Sequence, residues 1–160
     1  LWAPWRMQYI EGIDKKDEGC IFCTKPEQDN DRENLILFRG THCFVLMNLY
    51  PYNNGHLMVV PYVHTADMDG LDDEMVSEMW ALTQRSVAIL RESFGPEGFN
   101  IGMNLGRIAG AGIDQHLHMH IVPRWNGDTN FMPVVGETKV ISQSLEAAYD
   151  ILQPRYQQRA

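Results

Sequence analysis

Apolar residues in the first third of the chain fall into short runs separated by turn-forming residues. Runs at 35–38 and 43–47 flank Arg39-Gly40, and a further segment at 56–61 ends in proline. Short runs rich in apolar residues and bounded by Gly, Pro and Asn are typical of buried strands. We therefore predict a hairpin over residues 35–47, followed by a third strand over residues 56–61.

The pattern changes to a helical period between residues 71 and 94. Residues that recur at steps of three and four are Met75, Met79, Leu82, Ser86, Ile89 and Leu90. Asp72 and Asp73 favour the N-terminus of this helix, and Gly95-Pro96 ends it. We therefore predict one long amphipathic helix whose apolar stripe packs on the strands.

The last part of the chain adds two strands and a second helix. Residues 98–104 form a predicted fourth strand, and residues 105–112 form a glycine-rich loop. A helix is predicted from Ser142 or Ser144 to Leu152, ending before Pro154. Because strands and helices do not alternate as β-α-β units, the sequence predicts an α+β fold. We expect a mostly antiparallel sheet of about five strands, one long helix and a C-terminal helix.

The segment 115–125 contains the candidate functional residues. It reads Gln-His-Leu-His-Met-His-Ile-Val-Pro-Arg-Trp, with His116, His118 and His120 at a spacing of two. Successive side chains on a strand point to opposite faces, so a strand here places three imidazoles on one face and apolar residues on the other. A lone histidine is more often structural, but three on one face need partners and titrate near neutral pH. This pattern indicates either nucleophilic catalysis or metal binding.

Length, charge and composition limit the number of domains and the classes of binding partner. With 160 residues the chain suits a single domain, to which we assign an N-terminal extension (1–34) and a C-terminal extension (126–160). The net charge of −8 argues against nucleic-acid binding, because phosphate backbones need a basic surface. No apolar run reaches the length of a membrane span, so we expect a cytoplasmic protein with no membrane partner.

The three cysteines are too few for a disulfide framework. Cys20 and Cys23 form one C-x-x-C, which is half of a zinc site or simply two buried thiols. Cys43 lies within a predicted strand and receives no function.

Three histidines can act on phosphorus. A neutral imidazole is a nucleophile, and its neighbours and the backbone of a glycine-rich loop can stabilise charge on phosphate oxygens. His118 lies between the other two, and Gly106, Gly110 and Gly112 lie just before them. The rival enzyme class is a metallohydrolase with a catalytic ion on three histidines, although no acidic ligand lies within the run.

The run from His116 to Val122 resembles the signature of the histidine triad superfamily. The upstream segment from Met47-Asn48 to Pro61 is similar to another element of that family, so the resemblance covers roughly residues 20–125. It implies that His118 is the nucleophile and that His116 and His120 position the phosphate. It also implies a substrate pocket formed by Asn48, His56, Asn104, Gly112, Leu46 and Phe22.

The resemblance extends to the ends of the chain and to a metal. Segments 1–6 and 123–133 resemble the longer bacterial members described as diadenosine tetraphosphate phosphorylases or ATP adenylyltransferases. Zinc-bearing members imply a structural zinc on Cys20, Cys23, His64 and His116, and no organic cofactor. One departure is the segment 112–115, Gly-Ile-Asp-Gln, which lacks the hydroxyl donor that many members place before the first histidine.

The resemblance predicts a nucleotidyl transferase or hydrolase that cleaves dinucleoside polyphosphates through a nucleotidyl-histidine intermediate. The expected partner is a purine nucleotide or dinucleoside polyphosphate. A water-using hydrolase, a nucleoside phosphoramidase and a non-enzymatic nucleotide sensor remain as alternatives. Family members commonly pair as dimers by joining sheets, and an N-terminus anchored by Trp2 and Trp5 could extend a homodimer to a tetramer.

Overall fold

The computed structural model describes residues 19–135 and 140–158, so Trp2 and Trp5 lie outside it. Five strands form one antiparallel sheet in the order β1-β2-β3-β5-β4. They are β1 (Ile36–Arg39), β2 (Cys43–Met47), β3 (Leu57–Pro61), β4 (Gly98–Gly102) and β5 (Met119–Arg124). The α-helices are α1 (Ile21–Glu27), α2 (Asp31–Asn34), α3 (Asp73–Phe94), α4 (Met132–Val135) and α5 (Leu145–Gln158). The predicted α+β class and antiparallel sheet are confirmed.

The long helix α3 begins and ends where the sequence predicts. The Asp72 carboxylate accepts a hydrogen bond from the Met75 N–H at 2.8 Å, which caps the first turn. Gly95 follows the last turn in the left-handed region, at φ 57°, and its N–H bonds the carbonyl of Arg91. Within the described ranges, none of the helices combines the length and apolar content that a bilayer crossing needs.

The sheet has a different core on each face. The larger core lies between the sheet and helices α3 and α5, with Val59, Leu90 and Leu152 fully buried in it. The smaller core lies on the other face, where Phe22 of α1 packs with residues such as Phe44 and Met58. His120 pairs with Met58 across β3 and β5, so the histidines share the face of the smaller core.

The predicted strand over the three histidines is wrong in its first half, because β5 begins only at Met119. Extending the ladder would bring Leu117 opposite Pro61, where β3 ends. The carbonyl of Pro61 instead bonds the His116 ring at 2.8 Å, and the Leu117 N–H donates to Thr65 at 2.8 Å. His116 and His118 therefore lie in an irregular segment that leads into β5.

The second helix also departs from the prediction. Ser144 caps it as expected, accepting a bond from the Ala147 N–H, but α5 continues through Pro154 to Gln158. A proline inside a helix costs about 3 kcal/mol. Burial of Tyr156, which is 0% exposed and shares a 2.6 Å hydrogen bond with Ser86, offsets that cost.

The polar segment 25–34 is partly helical. Hydrogen bonds within the segment join its two ends. The Asn34 side-chain amide donates to the Gln28 side chain at 2.9 Å and to the Lys25 carbonyl at 3.4 Å. Asn34 is buried as a result. This local network holds α2 against the end of α1.

Candidate active site and metal centre

The His118 ring is held in one tautomer by the backbone. Its Nδ1 lies 2.8 Å from the carbonyl oxygen of His116, and because a carbonyl only accepts, Nδ1 must carry the proton. The Nε2 atom therefore has the free electron pair. Burial lowers the pKa of His118 below its usual value of 6.5, and the side chain is only 6% exposed. The imidazole is thus uncharged and nucleophilic at neutral pH.

His120 is oriented by a chain that starts at a backbone N–H. The N–H of Tyr52 donates to His56 Nδ1 at 3.1 Å, so the His56 proton lies on Nε2. That Nε2 is 3.0 Å from His120 Nδ1, which must accept. In its neutral form His120 then carries its proton on Nε2. Since the rings of His118 and His120 lie 4.7 Å apart, this places a hydrogen-bond donor beside the His118 ring.

Asn48 supports the same arrangement from the end of β2. Its side-chain oxygen accepts the Tyr50 N–H at 2.9 Å, which turns its NH₂ group toward His56 Nδ1 at 3.4 Å. Two donors therefore face the same ring nitrogen. The aromatic ring of Tyr52 lies 4.6 Å from that of His56 and closes this side of the site.

The other predicted pocket residues divide into two groups. Phe22 contacts the His118 ring at a centroid distance of 5.1 Å, and Leu46 is buried with it at 1% exposure. Asn104 lines a cavity of about 390 Å³ together with His120. Gly112 is half-buried in the segment before the triad. Asp114, which stands in the region where relatives have a hydroxyl donor, is exposed.

The structure brings together Cys20, Cys23, His64 and His116. Their four ligand atoms all lie within 4.8 Å of one another. Sγ–Nδ1 distances are 3.2 Å from Cys20 to His116, 3.4 Å from Cys23 to His64 and 3.6 Å from Cys23 to His116. The two cysteines come from the start of α1, whereas His64 follows β3.

These residues fit a tetrahedral metal ion. Zinc bonds of about 2.3 Å to sulfur and 2.0–2.1 Å to nitrogen give sulfur–nitrogen edges of about 3.6 Å. The observed edges are close to that value. The other ring nitrogen of His116 donates to the Pro61 carbonyl, which turns Nδ1 toward the sulfurs, and metal binding at Nδ1 would displace any proton there. Metal-binding histidines commonly have such a second partner.

The two thiols differ in acidity. Burial raises the pKa of Cys20, but hydrogen bonds from His116 and from backbone amides outweigh it and bring the pKa to about 6. Burial and the neighbouring Cys20 raise the pKa of Cys23 to about 11. The pair therefore holds one thiolate at neutral pH, and metal binding would displace the second proton.

Several contributors to the site are backbone groups that sequence patterns do not reveal. The Tyr52 N–H, the Pro61 carbonyl and the His116 carbonyl each fix a histidine ring. The turn-rich stretch 51–55 marks Tyr52 as part of a loop, but nothing in it indicates which ring its amide meets.

Comparison with known proteins agrees with this geometry. The chain is 42% identical over 151 residues to AP-4-A phosphorylase from Mycobacterium tuberculosis, covering 91% of this chain and 77% of that protein. It is 32% identical over 108 residues to adenosine 5'-monophosphoramidase from Schizosaccharomyces pombe, covering 68% of this chain and 76% of that protein.

A solved structure of a zinc-bound histidine triad family protein from Mycobacterium smegmatis matches the fold. The TM-score is 0.69 at 26% identity, covering 88% of this chain and 95% of that one. The model of the HIT domain matches residues 30–127, which include the five strands, α3 and all three histidines of the triad. The chain therefore belongs to the HIT domain family, the histidine triad proteins.

Proposed function

We propose that this protein is a nucleotidyl transferase that cleaves dinucleoside polyphosphates, with diadenosine tetraphosphate as substrate and inorganic phosphate as acceptor. The observation that carries the proposal is the held, uncharged His118, whose Nδ1–H is bonded to a carbonyl and whose Nε2 is available for attack. The identity to AP-4-A phosphorylase supports the choice of substrate and acceptor.

In the first step, the electron pair of His118 Nε2 forms a bond to the α-phosphorus. The bond from phosphorus to the bridging oxygen breaks, and the departing nucleotide keeps the electron pair. The ring becomes positively charged, and the His116 carbonyl that accepts its Nδ1–H stabilises that charge. The Nε2–H of His120 donates to a phosphate oxygen as negative charge develops there.

In the second step, an oxygen of HPO₄²⁻ attacks the nucleotidyl-histidine. The P–N bond breaks and its electron pair returns to Nε2, which restores neutral His118. The products from diadenosine tetraphosphate are ATP from the first step and ADP from the second. Two displacements through one nucleophile divide a difficult transfer into two easier ones.

We assign substrate contacts to the residues around this centre. Asn48 meets the ribose hydroxyls, Asn104 meets the phosphates and His56 holds His120 in place. Phe22 and Leu46 form the wall beside the base, and Gly112 gives the backbone close access to the phosphate. The support is positional: Asn48 and His56 are bonded together, and Asn104 and His120 line one cavity.

We also propose that Cys20, Cys23, His64 and His116 hold a structural zinc ion. Four protein ligands would close the coordination sphere, so the ion would supply no activated water and would serve to brace the segment that carries His118. The observed sulfur–nitrogen edges and the Zn-bound relative support this assignment.

A homodimer formed through the outer edge of β4 completes the proposal. Within the described sheet, β4 pairs with β5 alone, and Ile101 on it is 44% exposed. An open edge with an exposed apolar residue favours pairing with another strand. Light scattering should give the mass of a dimer, and Ile101→Lys should shift it toward the monomer. A monomeric native protein would contradict the assignment.

The function is tested by incubating the purified protein with diadenosine tetraphosphate, with and without phosphate, and separating the products. ADP and ATP formed only with phosphate support the proposal. AMP and ATP formed without phosphate identify a water-using hydrolase. Absence of turnover would lead to nucleoside phosphoramidates as the next substrates, and failure there as well would favour a nucleotide sensor.

Two substitutions of the nucleophile are the controls. His118→Asn and His118→Ala should abolish turnover while nucleotide binding, measured by calorimetry, persists. Normal turnover by either variant would contradict the role of His118.

A further inference from the structure

The loop that joins β2 to β3 contains the backbone N–H that orients His56. That N–H belongs to Tyr52 and donates to His56 Nδ1 at 3.1 Å. The ladder between β3 and β5 ends at the pair of Leu57 with Ile121, so Tyr52 lies beyond the paired part of β3. The position of the Tyr52 N–H relative to His120 on β5 therefore depends on contacts that the loop makes outside the ladder.

Asn53, the next residue in the loop, connects it to β5. Its side-chain amide donates to the Pro123 carbonyl at 3.0 Å and to the Asp128 carboxylate at 2.6 Å. Both partners can only accept, so both N–H donors of the amide are used. Asn53 is buried, at 7% exposure. Since Pro123 lies three residues after His120, the loop that carries Tyr52 is fastened to the same strand as His120.

The second acceptor, Asp128, is itself fixed by several donors. Arg124 Nε and Nη2 donate to its carboxylate at 2.6 and 2.9 Å, and the Trp125 N–H donates at 3.1 Å. The Thr129 hydroxyl adds a fourth hydrogen bond at 3.1 Å. The Asp128 side chain is 8% exposed, and the guanidinium of Arg124 compensates its charge. The carboxylate is therefore a preorganised acceptor for the Asn53 amide.

We propose that Asn53 is a positioning residue for the proton of His120. By fastening the loop to β5, it keeps the Tyr52 N–H on His56 Nδ1 and thereby keeps the neutral His120 protonated on Nε2. The inference rests on the proposed function, in which that Nε2–H donates to the phosphate. Asn53 acts through His56 and His120, so its removal should change the tautomer of His120 as well as the stability of the loop.

Asn54 provides a matched control from the neighbouring position. Its side-chain amide donates to the Gln143 side chain at 3.2 Å, so it also ties the loop to a distant segment. That segment precedes α5 and contains none of the triad histidines. Asn53→Ala and Asn54→Ala therefore remove the same side chain from the same loop, but only Asn53→Ala removes the connection to β5.

The experiment observes the proton of His120 by NMR in the protein without substrate. Protein labelled with ¹⁵N at histidine and tyrosine is measured at about pH 8, where a free imidazole is neutral. The ¹⁵N shifts of the His120 ring show which nitrogen carries the proton, and a His120→Asn variant assigns these signals. Exchange of the Tyr52 amide with deuterated water reports its hydrogen bond to His56. Circular dichroism and urea unfolding check the fold of each variant.

Asn53→Ala should move the His120 signals toward the tautomer protonated on Nδ1. Exchange of the Tyr52 amide should become about 3- to 10-fold faster, as expected for a weakened hydrogen bond. The kcat for diadenosine tetraphosphate should fall by about the same factor while KM stays within about twofold. Asn54→Ala should leave the His120 signals unchanged and kcat within about twofold of the native value.

A second variant approaches the same hydrogen bond from its other end. Asp128→Ala removes one of the two acceptors and leaves Asn53 bonded to Pro123, so it should shift the His120 signals in the same direction by a smaller amount. It gives the answer if Asn53→Ala does not fold.

Native His120 signals in folded Asn53→Ala, or equal shifts in Asn53→Ala and Asn54→Ala, would overturn the assignment of Asn53. A native protein whose neutral His120 is protonated on Nδ1 would overturn it without any variant. Failure of the native protein to cleave diadenosine tetraphosphate would instead refute the proposed function, because the NMR signals are measured without substrate and still decide the role of Asn53.

Discussion

Replacing His56 with phenylalanine tests whether the Tyr52 N–H determines, through His56, which ring nitrogen of His120 carries the proton. Phenylalanine keeps an aromatic ring next to Tyr52 and His120, whose centroids lie 4.6 and 5.1 Å away. It removes the two shorter polar contacts of the imidazole, the one from the Tyr52 N–H and the one to His120 Nδ1, together with the longer contact from the Asn48 amide. His120 then loses the partner that selects its tautomer.

The size of the effect follows from these contacts. A net hydrogen bond contributes about 0.5–1.5 kcal/mol, so the free energy of unfolding should fall by about 1–3 kcal/mol. Loss of a correctly oriented donor at the phosphate should raise the activation barrier by about 1–2 kcal/mol, which lowers the rate of the first step about 5- to 30-fold. The KM for substrate should change little, because His56 acts through His120 and is 1% exposed.

Single-turnover release of ATP at saturating diadenosine tetraphosphate measures the rate, and urea unfolding measures stability. His42→Phe is the matched control, since the His42 ring lies against Glu74. A folded His56→Phe variant whose rate stays within about twofold of the native rate would refute the proposed orientation of His120.

Three further predictions concern the metal, the core and pH. Native protein should contain one zinc ion per chain by mass spectrometry of its metals, and Cys23→Ser should lose it together with thermal stability; a zinc-free native protein would count against the site. Tyr156→Phe removes the bond to Ser86 and should lower the free energy of unfolding by about 1 kcal/mol in urea; an unchanged midpoint would show that this bond is not stabilising. Arg124 holds the pKa of Asp128 well below its usual 3.8, so its stabilisation is present above that pH and is lost as pH falls below it. Asp128→Asn should therefore weaken the dependence of unfolding free energy on pH between about 4 and 2, and a slope equal to that of the native protein would contradict this.

Periodicity predicts the elements whose stability comes from burial along one face. Helix α3 follows its apolar stripe, and its ends follow from the carboxylate of Asp72 and the left-handed Gly95. The strands up to Pro61 follow from short apolar runs between turns. Here each residue's local preference agrees with its tertiary environment, so sequence reasoning succeeds.

Sequence reasoning fails where a distant group decides the local structure. The start of β5 depends on which group donates to the Pro61 carbonyl. The His116 ring donates to it, so no backbone N–H of a longer strand is bonded there. Helix α5 passes Pro154 because Tyr156 gains a buried partner on α3. Neither contact leaves a periodic signal in the sequence.

The candidate site shows the same division. Residue types and spacing identify the triad, and family resemblance identifies the cysteines and His64, which the structure places together. The tautomers were not predictable, because they depend on hydrogen bonds such as that between His56 and His120, which are 64 residues apart.

His116 belongs to both the candidate metal centre and the candidate active site. Its ring faces the sulfurs of Cys20 and Cys23 and anchors to the Pro61 carbonyl, while its own carbonyl holds the ring of His118. The cysteines are therefore linked to His118 through His116, and Phe22, which lies between them in the sequence, contacts the His118 ring as well. We therefore expect a substitution at Cys20 or Cys23 to lower turnover by changing the orientation of His118, even where the residues proposed to bind substrate are unchanged. The loss of turnover in such variants then measures how strongly a movement of His116 changes the orientation of the His118 ring.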